Sequence, residues 1–182
     1  MVYDFQNDRK APELTLLAAR SYIWSLSAQD AKFRCWVTVF TEGKHDEVLD
    51  WINSLESAKY LNALRACLLI FSVSDGQVVP RKFQLAAGLA AYERKHAIIN
   101  TGTGSGKTLS MVIPLLMDLE AVAIIISPLK RLQVTQAEEL ERFLLRPLVI
   151  NEDTDQSLLQ NKVSCVGFHL ECLPQVSRHH RT

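Results

Sequence analysis

The sequence has no surplus of charge of either sign, since 20 Lys+Arg stand against 20 Asp+Glu. No overall basic field advertises a nucleic-acid partner, and a neutral total still leaves room for a local basic groove. Paired cysteines are also lacking. Cys35, Cys67, Cys165 and Cys172 are widely scattered with no C-x-x-C pair, which argues against a disulfide framework and for reduced thiols in an intracellular protein. The first ten residues carry Asp4, Asp8, Arg9 and Lys10 and lack the apolar core of a secretory signal. Long apolar runs are missing too: Asp118 and Glu120 break one and Arg65 another, so no membrane span is expected. At 182 residues, 48% hydrophobic and 22% charged, the chain suits one globular domain, or one with an extension.

What is present falls into two halves. Residues 11–79 read as helical. Leu14, Leu17, Tyr22, Ile23 and Trp24 make a mixed apolar face, and Val48, Ile52 and Leu55 a cleaner stripe at i, i+4, i+7 beside Trp51. Leu61, Leu64, Leu68 and Phe71 form another stripe, with Ser57 as the expected N-cap, and Gly43 with its polar neighbours separates the earlier segments. Phe33 to Phe40 is ambiguous, because its β-branched and aromatic residues suit a strand as well as a helix. Aromatics near Arg20 and Arg34 suggest a base-stacking surface, but Trp24, Trp36 and Trp51 are better read as core or helix-packing residues.

Asp75-Gly76 marks a turn and a boundary. Pro80 fits the first turn of a new helix running to about Glu93, and Arg94-Lys95-His96 then lead into an apolar run, Ala97-Ile98-Ile99, closed by Asn100. Next comes Thr101-Gly102-Thr103-Gly104-Ser105-Gly106-Lys107-Thr108, with three glycines in five positions. This is G-x-x-x-x-G-K-[ST] with threonine at the first place. Its glycines permit left-handed turns, so the amides of Gly104 to Thr108 can converge on phosphate oxygens at the positive end of the next helix. Lys107 adds a charge for the β- and γ-phosphates, and the Thr108 hydroxyl is the expected ligand of Mg²⁺.

Leu109, Met111, Val112, Ile113, Leu115 and Leu116 continue as a buried helix, and Ala121 to Ile126 reads as a strand buried on both faces. The order implies a right-handed βαβ unit of a parallel sheet, hence an α/β fold. Ser127-Pro128-Leu129-Lys130 ends that strand, Leu132 to Leu145 is helical again, and Leu148-Val149-Ile150 is a candidate third strand. Beyond the acidic loop Asn151 to Asp155 the pattern fades, and the tail Ser177 to Thr182 reads as polar and frayed.

From Pro80 to about Thr154 the chain resembles superfamily 2 nucleic-acid helicases, RecQ-type DNA helicases most of all. Three blocks carry the resemblance: Arg81-Lys82-Phe83-Gln84; Thr103 to Leu109 followed by Pro114 inside the helix; and Ser127-Pro128-Leu129 with Leu132 and Gln136 downstream. Asn151-Glu152-Asp153-Thr154 is similar to a stretch of fungal RecQ-like helicases. The resemblance implies ATP as cofactor with Mg²⁺. It puts Arg81 and Gln84 at the adenine, and Thr103, Gly104, Ser105, Gly106, Lys107, Thr108 and Leu109 around the nucleotide. It also implies DNA as partner along Ser127, Pro128, Leu129 and Lys130, unwinding from 3′ to 5′, and nuclear placement.

On that basis residues 1–79 are a helical N-terminal extension, 80–157 a partial RecA-like P-loop domain with a parallel sheet, and 158–182 a poorly defined tail. The family's second acidic block, Asp-Glu-x-His, does not occur in the sequence, and Glu138-Glu139 and Glu152-Asp153 stand too early to replace it. A second RecA-like domain with its arginine fingers is likewise lacking, so little or no hydrolysis is expected of these residues alone. Cys165, His169, Cys172, His179 and His180 follow no zinc spacing and read as incidental. Two alternatives remain open: another P-loop NTPase with a helical partner-binding module, or a non-functional helicase remnant.

Overall fold

The computed structural model describes residues 12–41, 45–152 and 168–170, with backbone alone at 12–15 and 168–170. Gly43, the metal-ligand candidates apart from the backbone of His169, and the tail therefore lie outside the described residues. Among the described residues, seven α-helices follow one another: α1 (Pro12–Ser25), α2 (Ala28–Arg34), α3 (Asp46–Asn53), α4 (Ser57–Val73), α5 (Lys82–Tyr92), α6 (Thr108–Met117) and α7 (Lys130–Glu141). Two short strands, β1 (Pro147–Val149) and β2 (Phe168–Leu170), pair in parallel, Leu148 opposite His169.

The ambiguous stretch after Phe33 is helical. It continues α2 as a π-turn over Cys35–Val39, closed by Phe40 N–H on the Cys35 carbonyl at 3.0 Å. The inserted residue widens the turn, so Val39 and Phe40 both face inward with Ala31 and Cys35. Ser27 caps α2, its hydroxyl accepting from Asp30 N–H at 3.1 Å. Helix α4 starts at Ser57 with Glu56 at the cap position, one residue earlier than expected. Asp75 and Gly76 turn through positive φ, as their sequence implies, and Arg81 rather than Pro80 stands at the N-cap of α5.

Helix α4 is the central rod of the described body. Leu64, Cys67, Leu69 and Ile70 are buried along it, and α1, α2, α5 and α6 pack around it. One apolar core therefore runs from the helical N-terminal half into α5 and α6. Arg20 of α1 ties the halves together: its Nε and Nη2 donate to the Met117 carbonyl at 3.2 and 3.1 Å, and its guanidinium lies over Trp24. A cation at the last carbonyl of α6 also offsets the negative end of that helix.

Burial raises the Cys35 thiol from 9.0 to about 12, and burial, with the neighbouring Cys35, raises Cys67 well above its usual value too. The folded state holds these protons more tightly than the unfolded chain. Their contribution to stability is thus intact below pH 9 and is lost as pH rises toward 12. Ellman's reagent at pH 8 is expected to leave both thiols unlabelled in the native chain and to label both in denaturant, as read by peptide mass.

The expected parallel sheet through Ala97-Ile98-Ile99 and Ala121 to Ile126 is not formed among the described residues. Both segments are non-helical, but Ile98 is 98% exposed and Ile124, in one isolated bridge, is 64% exposed. Val122 and Ile126 also face out, while Ala121, Ala123 and Ile125 lean on the core. A buried strand needs a hydrogen-bonded neighbour on each side. Apart from the single bridge at Ile124, neither segment is paired in a ladder among the described residues, so the βαβ unit does not close.

Candidate nucleotide site

The glycine-rich stretch forms a loop at the N-terminus of α6. Gly104 and Gly106 adopt φ of +77° and +78°, a left-handed backbone that a side chain would strain. Ser105 N–H points back to the Gly102 carbonyl at 3.4 Å, and the helical bonds begin with Leu109 N–H on the Gly106 carbonyl at 3.1 Å. The amides of Gly104, Gly106, Lys107 and Thr108 donate to no acceptor among the described residues. Four such donors at a positive helix end form an anion cradle.

Lys107 folds over its own loop. Its Nζ donates to the Thr101 carbonyl at 3.0 Å and the Gly102 carbonyl at 2.9 Å. Thr101, where the pattern has glycine, shares a hydroxyl–hydroxyl bond of 2.8 Å with Ser105. The Thr108 hydroxyl has no hydrogen-bond partner among the described residues, which leaves an oxygen donor at the cradle's edge. Hard oxygen donors of this kind fit Mg²⁺, and the bare amides fit phosphate.

Gln84 supports the loop from α5. It is 5% exposed, and every polar atom of its amide is engaged. Oε1 accepts from Arg81 N–H at 2.7 Å, while Nε2 donates to the Gly106 carbonyl at 2.9 Å and the Ser105 carbonyl at 3.3 Å. The partners fix the amide's orientation, since an N–H needs the oxygen and two carbonyls need the NH₂. A Cβ on Gly106 would stand 2.7 Å from this Nε2, so the loop closes on Gln84 only with glycine at 106.

The other sequence-predicted residues are more dispersed. The Arg81 side chain is exposed and makes no ion pair among the described residues, and Thr103 is exposed at the loop tip. Leu109 points into the core and anchors the first turn of α6. Ser127 is buried, its carbonyl accepting from Gln133 Nε2 at 3.0 Å, while Pro128, Leu129 and Lys130 lie exposed at the start of α7. Lys130 forms an exposed ion pair with Glu152. Such a pair contributes only about 0–1 kcal/mol and exchanges readily for another anion.

Three supporting residues escaped the sequence reading. Gln133 is fully buried at the turn into α7, and nothing in its sequence context marks it. Arg20 reaches the far end of α6 across 97 positions. Gly88 lies where α5 crosses α6, and a Cβ there would stand 2.6 Å from the Ile113 Cβ. A glycine in the middle of a good helix was the available signal, because it costs about 1 kcal/mol unless packing requires it.

Taken together, the left-handed glycines, the bare amides and the lysine drawn across them form a candidate phosphate cradle at the start of α6. Residues 81–165 match the family model described as DEAD/DEAH box helicase, which supports a superfamily 2 helicase domain over that segment, with ATP and nucleic acid as the ligands such a domain implies. No curated protein and no solved structure is significantly similar to the chain. No helix among the described residues is long and apolar enough to cross a membrane.

Proposed function

We propose that the chain is the ATP-binding and nucleic-acid-binding portion of a RecQ-like, ATP-dependent DNA helicase, with a RecA-like domain around its P-loop. The carrying observation is the anchoring of Gln84 to the loop beside a cradle of bare amides. The amides and Lys107 would hold the phosphates, and Thr108 would meet Mg²⁺. The nucleotide supplies the phosphoanhydride whose cleavage drives such a motor, and the residues here bind and orient it.

Gln84 sharpens the choice of base. Both hydrogens of its NH₂ are spent on loop carbonyls, so Oε1, which keeps one lone pair, is what it can offer a ligand. An acceptor suits the 6-amino group of adenine and opposes the 6-oxo group of guanine. Pro128, Leu129 and Lys130 would face the DNA strand, with Lys130 trading Glu152 for a phosphate, while the buried Ser127 shapes the turn behind them.

Hydrolysis by these residues is slow in this reading, because the sequence contains no Asp-Glu-x-His block to polarise water. Phosphate release measured alongside binding of labelled MgATP tests it. Binding with little turnover is expected. Absence of ATP binding would overturn the nucleotide reading, and rapid turnover abolished by Lys107→Ala would overturn the low activity.

A further inference from the structure

Trp36 departs from the packing role expected of Trp24, Trp36 and Trp51, and Phe33 lies exposed beside it. Trp24 and Trp51 are partly buried against the core, but Trp36 is 66% exposed and Phe33 64%, with Val37 exposed beside them. Three large apolar side chains sit at i, i+3 and i+4 on the outer face of α2 and its π-turn. The register explains why they stay out. Ala31, Cys35, Val39 and Phe40 take the inward positions, and the Thr38 hydroxyl returns to the Arg34 carbonyl at 2.8 Å, holding the turn in place. A contiguous apolar patch fixed outward in this way marks a contact surface.

The charges beside the patch indicate what it contacts. Lys32 and Arg34 flank Phe33, both are exposed, and neither pairs with a carboxylate among the described residues. Arg34, next to Phe33 in sequence, lies over the Tyr22 ring of α1 at 5.0 Å, which restricts where its charge sits. The nearest acid in sequence, Asp30, is turned to the helix start, where its carboxylate accepts from the Ser27 hydroxyl at 2.6 Å. Two aromatic rings about 5–6 Å apart at their Cβ atoms, edged by cations that meet no anion among the described residues, combine π-faces for bases with charge for phosphates.

We infer that Phe33 and Trp36, with Lys32 and Arg34, form a stacking surface for single-stranded nucleic acid on the helical half, separate from the P-loop and from Ser127 to Lys130. The inference rests on the nucleic-acid reading above. It adds a site whose stacking is sequence-tolerant, since every base has a face to stack.

The test titrates fluorescein-labelled oligothymidylate and oligouridylate of about 15 nucleotides into the full chain, with MgATP titrated separately into the same preparation. Binding weakened at least about fivefold by Trp36→Ala and by Phe33→Ala, and largely restored by Trp36→Phe, is expected. Lys32→Gln should lower the slope of log affinity against log salt by about 0.7, one phosphate contact on a single strand. The two oligonucleotides then tell DNA from RNA. Wild-type affinity in both alanine variants, or no oligonucleotide binding by the wild type, overturns the surface. A Trp36-dependent dimer without oligonucleotide binding also overturns it, in favour of a second copy of the chain. ATP binding that persists in those cases leaves the nucleotide site standing. Its absence alongside Trp36-dependent oligonucleotide binding removes the nucleotide site and keeps the surface.

Discussion

Lys107→Ala is expected to weaken MgATP binding by one to two orders of magnitude while leaving the melting temperature nearly unchanged. The first part follows from loss of charge-assisted hydrogen bonds to phosphate, each contributing about 1.5–3 kcal/mol. The second follows from what Lys107 does without nucleotide. Its two bonds go to the Thr101 and Gly102 carbonyls on a partly exposed loop, where water replaces a lost donor at little cost. Calorimetric titration and a thermal melt on the same samples separate the two effects. A variant that binds ATP like the wild type would remove Lys107 from the site.

Gly88→Val is expected to destabilise the fold by about 3 kcal/mol, and Gly88→Ala by about 1–2 kcal/mol, despite alanine's better helix propensity. The cause is the crossing of α5 over α6. An added Cβ would stand 2.6 Å from Ile113 Cβ, 2.8 Å from its Cδ1 and 2.9 Å from its Cγ2. The nearest of these atoms moves only with the backbone, so the two helices must separate. Because α5 carries Gln84 and α6 begins at the loop, separation also strains the bonds from Nε2 to Ser105 and Gly106. A fall in melting temperature of roughly 6–12 °C is expected for the valine variant. Ile113→Ala should not rescue Gly88→Ala, since the Cβ–Cβ overlap remains. Rescue by that pair would show that the crossing yields through the side chain.

The loop was the most legible part of the chain, and the reason is local. Glycines at 104 and 106, then lysine and threonine before an apolar helical run, specify backbone turns and a helix start with little help from the rest of the fold. Helices α3 and α4 were legible for a similar reason, as their apolar stripes match the helical period. The sheet was not. Ala121 to Ile126 has the composition of a central strand, but strandness depends on neighbours that a segment cannot supply for itself, and here Ile98 and Ile124 face outward.

Gln84 shows a subtler gap. The resemblance alone places it at the adenine. Its partners are Arg81 N–H and two loop carbonyls, so the same amide also braces the loop, a second task that no spacing of Arg-x-x-Gln announces. The aromatic residues misled in the opposite sense, because tryptophan in a helical segment ordinarily reads as packing. The π-turn at Cys35–Val39, which turns Trp36 outward, leaves no mark in composition.

The central claim is an adenine-nucleotide site in a helicase-type frame, and base selectivity tests it most directly. Parallel calorimetric titrations of the full chain with MgATP and MgGTP read it without any variant. The arrangement of Gln84 calls for ATP to bind at least several-fold more tightly than GTP. Equal affinity, or a preference for guanine, would contradict the account.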